Sequence, residues 1–352
     1  MATHAVLLRW ALAVVTCSSL FFVYNLQPNA PIPCILEADV GTGAKLFAFV
    51  FYLAQESYHC AALVNVQRLL DLGKRPDIDV VFMVSQSLSL TEAARSHALA
   101  LGVRYKLVDA LELGEMTNEA TADFVDYYWD SMLKLHAFNL TEYQRVLFLD
   151  ADQLVLRNLD VLFTSIPSAD LAAPRAYWLL PGEFPEGYQS AGWAADNGPE
   201  VGPQMKFGSY AMLIEPSSRL WTRLHGKYYP GNRPSFTDMF DMDLLNFEFK
   251  DEVVLLPGGM VISSTDFLSE EGDTRPANVQ QLANITAWFN NAYILHFCEP
   301  GKVWTLRPKE LGSSHHTLRT VWEDWWEIRD RMPELSCVVD WEGREEEAEE
   351  EE

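Results

Sequence analysis

The sequence predicts an α/β fold with a mostly parallel central sheet. Apolar runs of strand length alternate with segments of helical periodicity between residues 45 and 150. Glycines 73 and 102 end the first two helical segments. A further apolar run then delivers two acidic residues at its C-terminal end. Strands that alternate with helices in this way form right-handed parallel units.

Each element follows from a local pattern along the chain. Thr91 or Ser89 is the expected start of the second helix. After Pro174 the periodicity is lost, and residues 178–208 form a long loop rich in glycine and proline. The expected strands are 46–53, 80–84, 103–108, 145–149, 210–214, 253–256 and 292–297. The expected helices are 57–72, 90–101, 120–138, 217–228, 239–249 and the Trp-rich segment 317–331.

The segment 145–156 is the most informative part of the chain. Its apolar run 146–149 is typical of a buried parallel strand, and Asp150 and Asp152 follow at the strand's C-terminal end. In open α/β sheets, ligands bind outside this end of the strands. Two carboxylates suit Mg²⁺ or Mn²⁺, which commonly bridges to a phosphate.

Asp-x-Asp occurs twice more in the sequence, so the triplet alone is weak evidence. Asp77 and Asp79 precede an apolar run, and we interpret them as part of a solvated turn. The third pair is Asp241 and Asp243. Only the pair at 150 and 152 both follows one apolar stretch and precedes another.

Composition limits the classes of function. The chain has 352 residues, 49% of them hydrophobic, and a formal net charge of −24. Because phosphate backbones are bound by Lys and Arg, this charge argues against a nucleic-acid partner. Part of the charge is local, since residues 342–352 contain eight Glu and one Arg and are expected to be disordered.

The N-terminus contains an uncharged stretch, residues 10–26, that is long enough to span a bilayer. Arg9 precedes it and no Lys or Arg follows until Lys45, which predicts a cytosolic N-terminus. A cleaved signal peptide is the alternative. The remaining chain would then lie in the secretory lumen, which agrees with glycosylation sequons at Asn139 and Asn284.

Five cysteines are present, and Cys17 lies within the expected anchor. The other four are an even number for an oxidising compartment. They allow three disulfide pairings, among which the sequence does not choose. These residues are Cys34, Cys60, Cys298 and Cys337.

Several blocks of this sequence resemble glycosyltransferase family 8, the glycogenin-like retaining transferases. The resemblance covers roughly residues 45–310 and is most specific in the central block, 147–163, preceded by Lys134, His136 and Tyr143. The weaker first block is 48–50 with Tyr58, and the two later blocks are 241–246 and 296–304. Finer features at 129–134, 141–145, 174–178 and the C-terminal Trp-rich helix are similar to the fungal Golgi branch that transfers N-acetylglucosamine.

The resemblance implies a Rossmann-like GT-A fold, a UDP-sugar donor with Mn²⁺ or Mg²⁺, and a role for each matching residue. The implied metal ligands are Asp150, Asp152 and His296. The implied donor-binding residues are Tyr58, Asp150, Lys302 and Trp304. Lys134 and Asp241 would act at the reacting sugar, with Asp241 not assigned as a nucleophile. Considered without the resemblance, a core position is favoured for His296, a core role is as typical as a binding role for Tyr58, and the lysines are typical of a surface.

The chain departs from the family pattern at several positions near the expected sugar pocket. Gly208-Ser209-Tyr210 stands where Asn-Ser-Gly is common, Met242 where Gln is common, and Glu299 where Gly is common. Val303 replaces the usual Pro between Lys302 and Trp304. These changes affect the expected donor sugar more than the expected nucleotide binding.

The uncharged N-terminal stretch and the family resemblance together predict how the chain is divided into segments. It has a cytosolic tail (1–9), a signal anchor (10–26), a stem (27–44), a GT-A catalytic domain (45–310), a helical extension (311–340) and an acidic tail (341–352). The expected protein is a Golgi single-pass membrane transferase that acts on a glycan, with N-glycan mannose as one candidate acceptor. A non-catalytic binding protein derived from a transferase and a haloacid-dehalogenase-like phosphatase are the alternatives.

Overall fold

The computed structural model describes residues 45–109, 130–176, 207–228, 240–249, 252–267, 289–298, 300–311 and 316–332. All of them belong to one compact unit. The expected anchor, stem and acidic tail lie outside the described residues, as do the sequon at Asn284, Cys34 and Cys337. The same holds for most of the loop 178–208. Within the described ranges, no helix has the length and apolar character needed to cross a bilayer.

Up to residue 149 the described elements alternate between strands and helices, as expected. The strands are β1 (Phe47–Leu53), β2 (Ile78–Ser85), β3 (Val103–Val108), β4 (Arg145–Leu149), β5 (Gln153–Val155), β6 (Leu171–Pro174), β7 (Ala211–Ile214), β8 (Val254–Leu256), β9 (Val261–Ser263) and β10 (Ile294–His296). The α-helices are α1 (Glu56–Asp71), α2 (Glu92–Ala100), α3 (Leu162–Ser165), α4 (Ser218–Tyr228), α5 (Phe240–Phe249) and α6 (His316–Asp330). Short 3₁₀ helices cover Met132–Asn139, Gly258–Met260, Ser264–Phe267 and Pro308–Glu310.

Seven strands form the main sheet in the order β3-β2-β1-β4-β7-β6-β8. All neighbouring strands in it run parallel except β7, which is antiparallel to both β4 and β6. A second sheet has the order β5-β10-β9, with β10 antiparallel to β5 and parallel to β9. The prediction of a mostly parallel α/β sheet is confirmed.

Apolar side chains cover both faces of the main sheet. Successive residues of β1 alternate between the two faces, as the pleat requires. Phe49 and Phe51 join a core formed with α1, the small sheet and α6. Ala48 and Val50 join a second core formed with the 3₁₀ helix at Met132–Asn139, α4 and α5. Because both faces are buried, β1 and β4 are continuous apolar runs in the sequence.

The helix ends follow the sequence signals. Thr91 caps α2 by accepting a hydrogen bond from the Ala94 backbone N–H, which decides between the two expected start residues. Gly73 and Gly102 follow α1 and α2 with φ of 79° and 81°, a left-handed conformation that glycine adopts without strain.

The structure corrects the interpretation of Asp79. Asp79 lies in β2 and is 5% exposed, so it is not part of a solvated turn. It forms ion pairs with Lys45 at 2.6 Å and Arg104 at 2.7 Å, and it accepts a hydrogen bond from the Tyr143 hydroxyl. The preceding proline and charged residues are typical of a solvated turn. The local sequence does not reveal the contacts of Asp79, because its partners come from distant parts of the chain. Asp77, by contrast, is exposed.

Two further expectations change. Where the helix 120–138 was expected, the described part is mainly a 3₁₀ helix, Met132–Asn139, and residues 120–129 lie outside the described ranges. Cys298 is a free thiol, whereas Cys60 is disulfide-bonded. None of the three complete pairings of four cysteines is therefore formed.

Candidate active site

The turn between β4 and β5 carries Asp150 and Asp152 at the C-terminal end of β4, as predicted. The Asp150 backbone N–H donates to the Tyr210 carbonyl at 2.9 Å, which anchors the turn to the residue before β7. The Phe297 backbone N–H donates to the Asp152 carbonyl at 2.9 Å, which anchors it to the end of β10. The turn therefore lies where the large and small sheets meet.

The side chain of Asn65 in α1 forms hydrogen bonds with the backbone of the same turn. Its side-chain amide donates to the backbone carbonyls of Ala151 (3.2 Å) and Gln153 (2.7 Å), and its oxygen accepts from the Val155 N–H (3.1 Å). Asn65 is fully buried. A single side chain thus fixes the backbone on both sides of Asp152.

Asp150, Asp152 and His296 form the one candidate metal-binding group within the described residues. One ligand atom from each lies within 4.8 Å of the others. Oδ1 of Asp150 and Oδ1 of Asp152 are buried and accept no hydrogen bond of good geometry within the described residues, although Lys134 Nζ lies 3.3 Å from the first and His296 Nε2 lies 3.4 Å from the second. Since buried polar atoms are normally satisfied, these oxygens are suited to a cation. The structure thus brings together the three ligands expected from the sequence.

Two cationic groups flank Asp152. Lys302 Nζ lies 2.6 Å from Oδ2, and His296 Nε2 lies 3.4 Å from Oδ1. Burial favours the protonated form of Asp152, yet Lys302 and His296 hold its pKa below its ordinary range. Burial lowers the pKa of His296, but Cys298 and Asp152 raise it to about 10. A cation bound here would displace the proton from His296, because only the neutral imidazole nitrogen is a ligand.

Lys134 bridges the other acid of the pair to Asp241. Its Nζ lies 3.3 Å from Asp150 Oδ1 and 2.8 Å from Asp241 Oδ2. Ser209 also donates to Asp241 Oδ2, at 2.6 Å. Burial would lower the pKa of Lys134, but the two carboxylates hold it above its ordinary value, so the ammonium stays charged. Lys134 is buried, contrary to the surface position that its residue type alone suggests.

The pKa of Asp150 reflects its burial and the charged groups around it. Burial raises it to about 6, the charges of Asp152 and Asp241 add to this effect, and Lys134 opposes it. Once a bound cation displaces the proton from His296, the acids Asp150, Asp152 and Asp241 face only two lysines, so the protein groups of the site carry a net negative charge. Such a site favours an added cation.

Tyr58 and Trp304 lie beside each other, with ring centroids 5.0 Å apart in an edge-to-face arrangement. Trp304 is only 3% exposed and also packs near Trp325, so it supports the Tyr58 ring from behind. Tyr58 lines a cavity of about 10 Å³ at the end of β1, together with Tyr52, Ala54, Gln55 and Asp130. Nucleotide contact by Tyr58 and Trp304 stays a prediction.

Sequence reasoning missed several residues that shape the site. Asn65 is a polar residue within the apolar run of α1, and that anomaly is the signal that identifies it. Ser209 and Tyr210 were noted only as departures from a family pattern. Cys298 was treated only as a disulfide candidate, although its thiol lies 3.4 Å from His296 Nδ1.

No family model matches the chain. The protein named glucose N-acetyltransferase 1 from Gibberella zeae is 31% identical over 216 residues, which are 60% of this chain and 42% of the relative. The protein of the same name from Aspergillus fumigatus is 29% identical over 223 residues, 60% of this chain and 51% of the relative. The chain spans about half the length of these curated relatives.

Two solved structures share the fold. The galactosyltransferase LgtC, solved with donor and acceptor sugar analogs, superposes with a TM-score of 0.50 and 18% identity, covering 84% of this chain and 99% of that one. The bifunctional glycosyltransferase WbbM gives a TM-score of 0.54 at 12% identity, covering 82% of this chain and 50% of that one. The chain is thus similar in sequence to these fungal relatives, and it shares a GT-A-like α/β fold with the two glycosyltransferase structures.

Proposed function

We propose that the protein is a retaining, metal-dependent glycosyltransferase that moves a sugar from a UDP-sugar to a hydroxyl of a glycan. One observation carries this proposal. Asp150, Asp152 and His296 converge at the C-terminal end of β4, and Lys302 lies on the same carboxylate. This arrangement places hard oxygen ligands for a metal ion beside the Lys302 ammonium group, which can bind a diphosphate.

The residues fit Mn²⁺ or Mg²⁺. Two buried carboxylate oxygens accept no hydrogen bond of good geometry within the described residues, and an imidazole nitrogen lies within reach of both acids. A bound cation would act as a Lewis acid that neutralises the charge on the departing diphosphate. The imidazole favours Mn²⁺ over Mg²⁺, since Mg²⁺ prefers oxygen ligands.

The surrounding side chains divide the remaining tasks. Lys302 can move from Asp152 to the donor diphosphate, where a second positive charge stabilises the leaving group. Lys134 holds Asp150 and Asp241 in fixed positions and stays charged, so it acts by its field and not by proton transfer. Asp241 presents an oxygen, oriented by Ser209 and Lys134, toward the same space. There it can orient the acceptor hydroxyl or stabilise positive charge on the reacting sugar.

The preferred donor in this proposal is UDP-GlcNAc. The sequence blocks that resemble the N-acetylglucosamine-transferring branch support it, as does the similarity to fungal proteins named glucose N-acetyltransferase 1. The proposal includes a Golgi location. There the uncharged stretch 10–26 would anchor the chain and the catalytic domain would face the lumen. The acceptor would be a glycan, with N-glycan mannose as the first candidate.

A donor screen tests the proposal. The protein is incubated with Mn²⁺ and UDP-GlcNAc, UDP-glucose or UDP-galactose, with and without a mannose-terminated glycan, and UDP release is measured. We expect the fastest release with UDP-GlcNAc, and an α-linked product by NMR. Turnover of none of the three donors, together with no UDP binding by calorimetry, would favour the non-catalytic alternative. Metal-dependent release of inorganic phosphate from sugar phosphates would favour the phosphatase alternative.

A further inference from the structure

His296 is held by a different group on each side of its ring. Nε2 faces Asp152 Oδ1 at 3.4 Å, on the side of the candidate metal site. Nδ1 lies 3.4 Å from the Cys298 thiol on the opposite side. The ring of Tyr210 stacks on the imidazole, with centroids 5.2 Å apart and planes at 29°. The imidazole is therefore restrained in rotation and in position.

The thiol that contacts Nδ1 is itself fixed in place. The Cys298 backbone N–H donates to the hydroxyl of Ser264, which is fully buried, at 2.8 Å. The Ser263 side chain also hydrogen-bonds the thiol. Cys298 forms no disulfide, so its sulfur is available as an acceptor for the imidazole N–H. Ligand histidines usually donate their second N–H to a carboxylate, carbonyl or water, and here a sulfur holds that position.

Tyr210, which carries the stacked ring, is hydrogen-bonded through its backbone to the turn that carries the two acids. The Tyr210 carbonyl accepts from the Asp150 N–H at 2.9 Å and from Gln153 Nε2 at 2.7 Å. The ring lies directly over Gly208, where an added Cβ would come within 2.1 Å of a ring carbon. Glycine at 208 therefore makes room for Tyr210. Because the Tyr210 backbone carbonyl, and not the ring, contacts the turn that carries Asp150 and Asp152, replacing the ring leaves these two hydrogen bonds in place.

We propose that Cys298 and Tyr210 are positioning residues that fix His296 as the nitrogen ligand and thereby select Mn²⁺ over Mg²⁺. This inference rests on the metal site of the proposed function. The physical reason is the difference between the two cations. Mg²⁺ depends on the carboxylates and gains little from imidazole, whereas Mn²⁺ accepts both ligand types. Loss of the imidazole's orientation should weaken Mn²⁺ binding more than Mg²⁺ binding.

The test measures the affinities of the full chain for Mn²⁺ and Mg²⁺ separately, in the presence of UDP. Free Mn²⁺ is followed by electron paramagnetic resonance and Mg²⁺ binding by calorimetry. The variants are Cys298→Ala, Tyr210→Leu, His296→Ala and the double variant Cys298→Ala/His296→Ala. Cys298→Ser retains an acceptor at the same position. Ile262→Val, a small truncation in the neighbouring strand β9, controls for packing loss.

We expect Cys298→Ala and Tyr210→Leu to bind Mn²⁺ about tenfold more weakly while Mg²⁺ binding changes by less than about twofold. Cys298→Ser should lie closer to the unmodified protein than Cys298→Ala does. Because Cys298 acts through His296, the double variant should bind Mn²⁺ no more weakly than His296→Ala alone.

Different results overturn the inference and the proposed function. Three results would overturn the inference: equal losses of affinity for both cations, no loss in either single variant, or additive losses in the double variant. In each case, Mn²⁺ binding by the unmodified protein would still support the metal site. If His296→Ala leaves Mn²⁺ binding unchanged, the inference fails while the carboxylate site stands, and if the unmodified protein does not bind Mn²⁺ at all, the metal site of the proposed function fails. Should Cys298→Ala not fold, Tyr210→Leu decides, since it leaves the thiol intact.

Discussion

At the scale of single residues, the site is a network of opposite charges in a buried setting. Asp152 pairs with Lys302, and Asp150 and Asp241 share Lys134. Buried carboxylates persist only when they are paired or bind a cation. The lysines stabilise the arrangement without a metal, and the two Oδ1 atoms, which accept no hydrogen bond of good geometry from the described residues, can still bind one.

Asp152→Asn tests the metal assignment directly. The amide has one oxygen and no charge, so Mn²⁺ binding should weaken. Loss of a residue that only holds a metal ligand in place costs about 10- to 100-fold in affinity, and loss of the ligand itself should cost at least as much. UDP release from the donor should fall to background while far-UV circular dichroism stays unchanged. Asp77→Asn, the same change at an exposed aspartate, is the matched control. Activity retained in Asp152→Asn would contradict the metal assignment.

At the scale of elements, α1 links the fold to the site. Its apolar face packs in the core beneath the sheet, and Asn65 on the same helix holds the turn between β4 and β5. The position of Asp152 therefore depends on the docking of a helix that begins almost a hundred residues earlier in the chain.

Asn65→Ala should loosen this turn. The substitution removes the partners of the Gln153 carbonyl and the Val155 N–H, and each buried group left unsatisfied costs roughly 1–3 kcal/mol. We expect the free energy of unfolding in urea to fall by about 3 kcal/mol and Mn²⁺ binding to weaken. Gln67→Ala, on the same helix but away from the turn, should change neither. Unaltered Mn²⁺ affinity in a destabilised Asn65→Ala protein would show that the contact is only structural.

His59 on α1 predicts a pH dependence of stability. It is 1% exposed and contacts the Tyr105 hydroxyl at 2.8 Å. Burial, and to a lesser extent His97, lowers its pKa from 6.5 to about 4. Between pH 6.5 and 4 the unfolded chain therefore binds a proton that the folded chain excludes, so stability falls as pH falls through this window and this group adds no further change below pH 4.

His59→Gln keeps a polar group near Tyr105 but does not titrate. The difference in unfolding free energy between pH 7 and pH 4 should shrink by up to about 3 kcal/mol in this variant, measured by urea denaturation at both pH values. His316→Gln, at an exposed position in α6, provides the comparison. An identical pH dependence in His59→Gln and the unmodified protein would rule out this role of burial.

At the scale of the whole molecule, the site lies where the large and small sheets meet. β4 supplies the acids, β10 supplies His296, and the segment after β10 supplies Lys302. Helix α6 covers the core behind this segment, and the indole N–H groups of Trp322 and Trp326 both donate to the Leu306 carbonyl. The Trp-rich helix thus serves packing, as its periodicity indicates.

Removal of metal tests the assembled site. Dialysis against EDTA should abolish UDP release from the donor, and Mn²⁺ should restore it more fully than Mg²⁺ because His296 completes the ligand set. Thermal unfolding should also shift upward when Mn²⁺ and UDP are added together. Full activity after chelation, with metal content checked by mass spectrometry, would contradict the proposal.

Local patterns predicted most of the elements and the acidic pair. β3 and β4 lie where expected, and β1, β2, β7, β8 and β10 agree with the expected bounds to within two residues, because apolar periodicity and glycine stops act locally. The short strands β5, β6 and β9 were not predicted. The environments of Asp79 and Lys134 were not predictable in the same way. Both are buried charges whose partners lie at least 16 residues away in the chain, and no window of sequence contains those contacts.

The sequence by itself determined that an apolar strand ends in two carboxylates, because this follows from residue order alone. Only the tertiary structure decided that His296 and Lys302 share the second carboxylate, that Lys134 joins the first to Asp241, and that a thiol and a stacked tyrosine hold the imidazole. The physical reason is that a binding site needs atoms a few ångströms apart. Strands and helices distant in sequence bring those atoms together only when the apolar faces of the sheets are buried.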